Sequence, residues 1–473
     1  MGNETDAAPY RTITGAAAAL RDGEISSVEL TEAFLARIDR HNDAVRALVE
    51  VYPRQALAAA ARADADRAAG VVRSPLQGVP IAVKDVIAVE EGPTRGGGNA
   101  WSPRWHPGDA LAVARLRAAG AIVLGKSLTM EFACGMPDER DGTPVSANPW
   151  NLANWAGGSS SGAGAGLAAG LFLGGLGTDT GGSIRCPAAW CGVSGIKPSY
   201  GLVPTEGMIP WAFTLDHLGP LARSAADCAL LLETLADGLP APAGHAERAP
   251  GDLTGLRIGV ERAHHLTSEV VEPAVRQRFD EALAVLADAG ARLSEVELPL
   301  YDTAAEAAML ITPVEGYSYH RENLRERWSD YGRQTRLQIA AGAVIGAADY
   351  VQARRVAVLA QRRLAALFAG VDLIVMPTTA TGAPPIAALY GADLRHLITS
   401  TIYTPYWDVV GNPALSVPMG LNAAGLPLGL QIAGAHGADA LVLHAGAAFQ
   451  ARTDHHLAVP PLRPAPSSAA VPA

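Results

Sequence analysis

Apolar residues recur along the first half of the chain at spacings that alternate between those of helices and those of strands. Residues 26–40 (SSVELTEAFLARIDR) place apolar side chains at helical spacing behind a serine, which predicts a helix with a serine N-cap. Residues 55–69 predict an alanine-rich helix. The stretches GVPIAVKD (78–85) and AIVLG (121–125) predict strands, with a helix near 109–119 between them.

The second half of the chain continues in the same order. Long helices are predicted near 271–289 and 345–368. Further strands are predicted at 256–260, 291–298, 371–377, 414–418 and 426–434. This order predicts an α/β fold, a single large domain in which helices cover both faces of a central, mostly parallel or mixed β-sheet.

Composition divides the chain into successive stretches. Residues 1–70 predict an N-terminal helical segment, and 71–238 hold the glycine-rich motifs that carry the candidate chemistry. The proline- and alanine-rich stretch 239–251 predicts a surface connection, and 252–459 predict the remainder of the domain with the substrate-pocket region. Residues 460–473 predict a disordered tail.

Charge and cysteine content narrow the expected partners. The 473 residues carry a formal net charge of −10 without a basic block, which predicts a small-molecule substrate and neither a nucleic-acid nor a membrane partner. The four cysteines have no zinc-ligand or disulfide-framework spacing, and the chain start lacks the order of a signal peptide. We therefore expect no metal, no cofactor and a cytoplasmic location.

Lysine is rare enough to be informative. Lys84, Lys126 and Lys197 are the lysines among 37 basic residues, so these positions are candidates for a role that needs an amine. A buried lysine can lose its proton and act as a base, which an arginine cannot do. For Lys126 and Lys197, hydrogen bonds from the amine to loop carbonyls explain the residue equally well.

Glycine and serine cluster in the stretch 157–185, GGSSSGAGAGLAAGLFLGGLGTDTGGSIR. Its GAGAGLAA resembles a dinucleotide fingerprint, but the polar, proline-containing NPWNLANWA before it does not predict the strand that such a site requires. No GxSxG elbow surrounds the serines, and the twelve histidines show no HExxH spacing. Nucleotide binding and a Ser-His-Asp triad are therefore unsupported.

A lysine at a strand end and serines in two glycine clusters remain as candidates. A serine needs a neighbouring base to become a nucleophile, and Lys84 supplies one if burial lowers its pKa by roughly three units. Gly181 and Gly182 permit a tight turn whose N–H groups, with those of Thr180 and Ser183, converge as an oxyanion hole. A plain glycine-rich connection explains either cluster alone, but not both together with a retained lysine.

The chain closely resembles the amidase signature family of serine hydrolases. The resemblance covers most of the chain in order, on the blocks 78–85, 120–135, 148–170, 176–201, 215–227, 410–420 and 426–434. It implies the family fold, with Ser183 as nucleophile, Ser159 as relay serine and Lys84 as base. It also implies that Thr180 to Ser183 form the oxyanion hole and that a cis peptide bond joins Gly158 and Ser159.

The resemblance implies an amidohydrolase that cleaves a carboxamide or aryl acylamide, or an ester or carbamate, through an acyl-enzyme. It allows a homodimer. The alternative is a partner-dependent amidotransferase subunit that hydrolyses glutamine and transfers ammonia, although VPTEGMIPWAF (203–213) lacks the arginine-rich sequence typical of that subunit.

The role of Arg185 has two interpretations: it binds an acidic substrate, or it holds its own loop in place through contacts with nearby carboxylates. Apolar and aromatic residues in 305–345 and 403–407 predict a neutral, apolar substrate.

Overall fold

The strands meet in one large sheet. A computed structural model of the chain describes residues 10–100, 105, 108–139, 142–236, 251–390 and 402–462. Within these residues, strands β1 to β13 span, in chain order, Leu48–Val51, Pro80–Lys84, Ile122–Ser127, Ala147–Asn148, Asn151–Trp155, Gly174–Asp179, Ser194–Lys197, His217–Ala222, Arg257–Glu261, Arg292–Val296, Leu373–Pro377, Ala414–Leu421 and Pro427–Gly434. Eleven of them form the sheet, in the order β1-β3-β2-β6-β8-β7-β12-β13-β11-β9-β10, and β4 pairs with β5.

Helices surround the sheet. In the part of the chain that the structure describes, helices α1 to α13 span Ile13–Asp22, Ser27–Val45, Pro53–Ala68, Leu111–Ala118, Ser161–Ala169, Arg185–Cys191, Ala225–Leu235, Pro273–Asp288, Tyr301–Arg327, Arg333–Ala341, Ala347–Leu367, Pro405–Val410 and Asp439–Gln450. The predicted serine N-cap is confirmed at α2, where Ser26 and Glu29 form a capping box.

The helices lie on both faces of the sheet. Successive strand residues point to opposite faces, and a Cβ on Gly174 of β6 would meet Leu231 of α7, whereas one on Gly175 would meet Ala163 of α5. Helix α6 packs with α5, and α13 packs with α7. The predicted fold class, one α/β domain around a central mixed sheet, is therefore confirmed.

The sheet is mixed, and its parallel strands position the candidate base. Strand β2 lies between β3 and β6 and runs parallel to both, so Lys84 at its carboxyl end lies beside the end of β6. Strand β8 runs antiparallel to β6, which places His217 opposite Asp179. All residues of β2, β6 and β8 are buried.

Two predicted stretches fall wholly or largely outside the described residues. These are the surface connection 239–251, of which the structure describes residue 251, and the tail 460–473, of which it describes 460–462. Every strand predicted from the sequence is present, although the bounds differ by a few residues. Strands β1 and β4 to β8 were not predicted. The stretch NPWNLANWA, from which no strand was expected, forms β4 and β5, which pair with each other apart from the central sheet.

Candidate active site

Lys84 is completely buried at the end of β2. Its Nζ donates hydrogen bonds of 2.7 Å to Ser159 Oγ and 2.7 Å to Thr178 Oγ1. Burial lowers the pKa of Lys84 to about 7, and the negative charges of Asp179 and Asp216 counteract only part of this effect. At neutral pH a substantial fraction of this amine is therefore unprotonated and able to accept a proton.

Ser159 contacts the candidate base, and it is followed by a residue that contacts the second glycine cluster. Its side chain is buried, and the peptide bond that joins it to Gly158 is cis, as the resemblance implies. The carbonyl of Ser159 accepts a hydrogen bond from Met130 N, at 3.2 Å. The next residue, Ser160, donates its backbone N–H to the carbonyl of Ser183, at 3.1 Å, so the two serine clusters lie side by side.

Ser183 ends the glycine turn that precedes α6, and it is partly exposed. Within the described residues, its hydroxyl makes no hydrogen bond. The structure therefore brings Lys84 and Ser159 into direct contact, and it places Ser183 beside them through the backbone contact with Ser160.

The carboxylate of Asp179 holds the turn from Thr180 to Ser183 by accepting backbone hydrogen bonds. Gly182 N donates to Asp179 Oδ1 at 2.6 Å, and Ile184 N donates to Oδ2 at 3.0 Å. The backbone N–H groups of Thr180, Gly181 and Ser183 have no acceptor among the described residues. Because the N–H of Gly182 is engaged by Asp179, the other three are the donors that the structure leaves available.

Arg185 ties this turn to distant parts of the chain. Its guanidinium is completely buried and bonds Asp179 Oδ1 at 3.0 Å, Asp408 Oδ2 at 2.7 Å, Gln431 Oε1 at 2.9 Å and the carbonyl of Thr404 at 2.9 Å. Burial alone raises the pKa of Asp179, but the Arg185 charge outweighs it and holds that pKa well below its ordinary range. Of the two interpretations of Arg185, the structure supports the loop-tying one.

The other two lysines bond carbonyls. Lys126 donates to the carbonyl of Ile87 at 2.5 Å, and it lies 3.4 Å from the carboxylate of Asp85. Lys197 donates to the carbonyl of Asn412 at 2.6 Å. These contacts favour structural roles for Lys126 and Lys197 and leave Lys84 as the amine in contact with a serine.

The sequence analysis missed two residues that contact the site. Thr178 Oγ1 fixes the amine of Lys84, and Asp216 Oδ1 accepts a 2.6 Å hydrogen bond from Thr180 Oγ1. Burial raises the pKa of Asp216 to about 7, against the lowering effect of its hydrogen bonds. Thr178 stands in the glycine- and serine-rich stretch 157–185 and Asp216 in the family block 215–227, but their contacts with the site depend on strand pairing.

Four of the residues that suggested an apolar pocket are divided between the core and the surface. Tyr406 and Trp407 are buried in the core, where they pack against α9 and α11, whereas Met309 and Leu310 are exposed on α9. The predicted preference for a neutral, apolar substrate therefore loses its basis in these residues. The GAGAGLAA stretch forms α5, whose nine residues are all buried, so its glycines pack a helix into the core.

The described part of the chain holds neither a metal cluster nor a membrane-spanning helix. No group of three or more His, Cys, Asp or Glu side chains is arranged to hold a metal ion there. Among the helices described, none has both the length and the apolar composition needed to cross a bilayer. All four cysteines are buried and unpaired.

The chain is similar to proteins of known family. A family model described as Amidase matches residues 29–443. A glutamyl-tRNA(Gln) amidotransferase subunit of Chloroflexus aurantiacus is 38% identical over 96% of this chain and 99% of its own length. A solved amidase structure superposes with a TM-score of 0.84 at 32% identity, over 93% of this chain and 99% of its own. The peptide amidase of Stenotrophomonas maltophilia superposes with a TM-score of 0.78 at 30% identity, over 94% and 97%.

The relatives correct the prediction about partners. That prediction, a small-molecule amide without nucleic acid and with a homodimer allowed, is wrong, because a relative matched over nearly its full length is a subunit of an enzyme named for a tRNA. The prediction depended on the net charge of one chain. A chain that works beside other subunits needs no basic surface of its own, since the other subunits can contact the nucleic acid.

Proposed function

This chain belongs to the amidase signature family, whose members are hydrolases of carbon–nitrogen bonds, and we propose that it hydrolyses a carboxamide through an acyl-enzyme on Ser183. The observation that carries the proposal is the 2.7 Å hydrogen bond between Lys84 Nζ and Ser159 Oγ, with both groups buried. It joins a base of lowered pKa to a hydroxyl beside the partly exposed Ser183.

In the proposed mechanism, neutral Lys84 takes the proton of Ser159, and Ser159 takes that of Ser183 as its Oγ attacks the amide carbonyl. The negative oxygen of the tetrahedral intermediate lies at the N–H groups of the Thr180–Ser183 turn. The intermediate breaks its carbon–nitrogen bond, and the proton returns from Lys84 through Ser159 to the leaving nitrogen. Water then attacks the acyl-enzyme by the same proton path, which releases the acid and restores Ser183.

For the substrate, we propose glutamine, with transfer of its ammonia in a complex with partner subunits and glutamyl-tRNA(Gln). Support comes from the near-complete match to the Chloroflexus aurantiacus protein, at 38% identity. The second candidate is a free-standing amidase, which the similarity to the Stenotrophomonas maltophilia peptide amidase favours. In both cases, a cytoplasmic location belongs to the proposal, because four buried, unpaired cysteines suit a reducing compartment.

Reconstitution separates the two candidates. The chain replaces its homologue in the Chloroflexus aurantiacus amidotransferase, together with that enzyme's other subunits, glutamine and glutamyl-tRNA(Gln), and glutaminyl-tRNA formation is measured. We expect glutamine-dependent product that is lost with Ser183→Ala. Turnover of simple carboxamides by the chain alone, without product in the reconstituted enzyme, would establish the free-standing amidase instead.

A fluorophosphonate probe tests the chemistry independently of the substrate. Such a probe transfers its phosphonyl group to an activated serine and releases fluoride. We expect labelling of Ser183, located by peptide mass spectrometry, and its loss in Lys84→Ala. Labelling of another residue, or no labelling, would overturn the proposed mechanism for both substrates.

A further inference from the structure

Asp216 is a buried acidic residue that makes no close ion pair in the described part of the chain. In the described part of the chain, no Lys, Arg or His side chain lies within ion-pair distance of it, and its residue is 5% exposed. Its Oδ1 accepts the 2.6 Å hydrogen bond from Thr180 Oγ1. An unpaired carboxylate is costly to bury, so its hydrogen bonds must hold a geometry on which the fold depends.

The same carboxylate organises a second segment, the turn at Trp211 and Ala212. Trp211 N donates to Asp216 Oδ2 at 2.9 Å, and Ala212 N donates to the same oxygen at 3.0 Å. The Trp211 ring lies against helix α9, where a Cβ on Gly316 would be 2.2 Å from the ring. Asp216 therefore joins the Thr180 turn to a segment that packs on α9.

Helix α9 holds this segment by a second contact. Glu315 of α9, which is buried, accepts hydrogen bonds from Thr214 N at 2.9 Å and from Thr214 Oγ1 at 2.6 Å. Tyr350 of α11 donates to Glu315 Oε1 at 2.7 Å. Two sets of hydrogen bonds, joined by the backbone of residues 211–216, therefore connect α11 and α9 to Thr180.

We infer that Asp216 is a positioning residue for the oxyanion hole and that Glu315, on the helix pair α9 and α11, sets its position. The inference deepens the proposed function and depends on it for the identity of the hole. The backbone N–H of Thr180 is one of the free donors of the turn, and the side chain of the same residue is fixed by Asp216. A change in α9 therefore changes the direction of a donor that stabilises the transition state.

This arrangement gives α9 a role in positioning the oxyanion hole. The helix, Tyr301–Arg327, lies outside the family blocks on which the resemblance was identified. A difference in sequence here alters the turn of residues 211–216 and, through Asp216, the oxyanion hole. Turnover thereby depends on a helix that makes no direct contact with Ser183 or Lys84 among the described contacts.

The experiment measures the rate of fluorophosphonate labelling at Ser183 together with kcat and KM for whichever amide the wild-type protein turns over. The phosphonyl oxygen of the probe occupies the oxyanion hole, so labelling reports the hole even without a known substrate. We expect Thr180→Val and Asp216→Asn each to slow labelling and lower kcat by about 100-fold, the loss of one oxyanion donor, with little change in KM. Thr180→Ser, which keeps the hydroxyl, recovers most of the rate that Thr180→Val loses.

Two further variants complete the design. Glu315→Gln lowers the labelling rate by about tenfold, and its effect does not add to that of Asp216→Asn because both act on one path. Asp227→Asn, which removes another buried carboxylate that bonds Thr14 N and lies outside this path, leaves the labelling rate unchanged. Thermal unfolding identifies any variant that does not fold, and Thr180→Val, which keeps the side-chain volume, remains a test if Asp216→Asn unfolds.

Wild-type labelling rates in Thr180→Val and Asp216→Asn would overturn the inference, as would a rise in KM at constant kcat. Failure of the proposed function gives a different result, since the wild-type protein itself would then not be labelled at Ser183.

Discussion

The reactivity of the site depends on the surroundings of one amine. Lys84 is completely buried, its amine contacts two hydroxyl groups, and no carboxylate in the described part of the chain forms an ion pair with it. A contacting carboxylate would keep the amine protonated, whereas hydroxyls can either accept from it or donate to it. The surroundings therefore allow the amine to hold and release a proton near neutral pH.

The pH dependence of catalysis follows from this amine. Burial lowers the pKa of Lys84 to about 7, and the base must be unprotonated, so kcat/KM rises with pH through about 7 and levels off above it. Initial rates between pH 5.5 and 9 measure this rise of kcat/KM with pH. Lys84→Arg, which stays charged throughout, is inactive over the whole range. If a Lys84 variant stayed active and kept the same rise of kcat/KM with pH, that rise would come from another titrating group.

We expect the serines of the proposed triad to act as a unit. Ser183→Ala should remove nearly all activity because the proposed nucleophile is lost, whereas Ser159→Ala should retain more because a water molecule can occupy the place of the relay hydroxyl. The double variant is no slower than Ser183→Ala alone. Single-turnover rates of the three variants check this, and a double variant much slower than Ser183→Ala would contradict a shared path.

The sequence identified the side chains that stand in recognisable motifs, but it did not identify their neighbours in space. Lys84, Ser159 and Ser183 are marked by rarity, by glycine and by family blocks. Thr178 and Asp216 contact the site because β6 pairs with β8, and strand register is not readable from a single sequence. The engagement of the Gly182 N–H by Asp179 likewise depends on turn geometry.

At the scale of elements, the glycine turn requires a glycine at position 182 for two reasons, its backbone conformation and the space around it. Gly182 has φ of +124°, and a Cβ there would be 1.9 Å from Thr404 Oγ1, whereas a Cβ on Gly181 would meet nothing within 4 Å. We expect Gly182→Ala to lower the free energy of unfolding by more than about 1 kcal/mol, and Gly181→Ala to change it little. Urea unfolding of the pair tests this, and equal losses would contradict it.

Arg185 gives a second prediction at this scale. Arg185→Met leaves Asp179 and Asp408 buried without their cation, so we expect a loss of about 3–5 kcal/mol in the free energy of unfolding. The control is Arg257→Met, which breaks a surface pair with Asp372 and which we expect to change the free energy of unfolding much less. Chemical denaturation of both variants measures the difference, and similar values would show that the buried network contributes no more than the surface pair.

Two of the strands that were not predicted have an unfavourable composition. Strand β6 reads GGLGTD and β7 reads SGIK, and both are poor in the β-branched and apolar residues by which the other strands were recognised. Their position between neighbouring strands stabilises them, because pairing on both sides supplies the hydrogen bonds and the burial. The helix α9 was also missed, since its sequence contains Pro313 and no clear apolar stripe.

For the whole molecule, the buried base makes stability depend on pH. Its pKa is about 7 in the folded protein and ordinarily near 10.4, so between these values the unfolded chain binds one more proton. Stability from this group therefore rises with pH, by up to about 1.4 kcal/mol per unit, from pH 7 to 10. We therefore expect the unfolding free energy of the wild-type protein to rise relative to that of Lys84→Met as the pH rises from 7 to 10. A constant difference across urea titrations in this range would contradict it.

The contacts of Arg185 also bear on when, during translation, the glycine turn can acquire its final structure. Its partners Asp408 and Gln431 lie 223 and 246 residues further along the chain. At ribosomal speeds of about 5–20 residues per second, Gln431 is added roughly 12–50 seconds after Arg185. Ser183 therefore leaves the ribosome on a turn that lacks its anchors at Asp408 and Gln431, and we expect the nascent chain to be inactive as a hydrolase until these residues have been added.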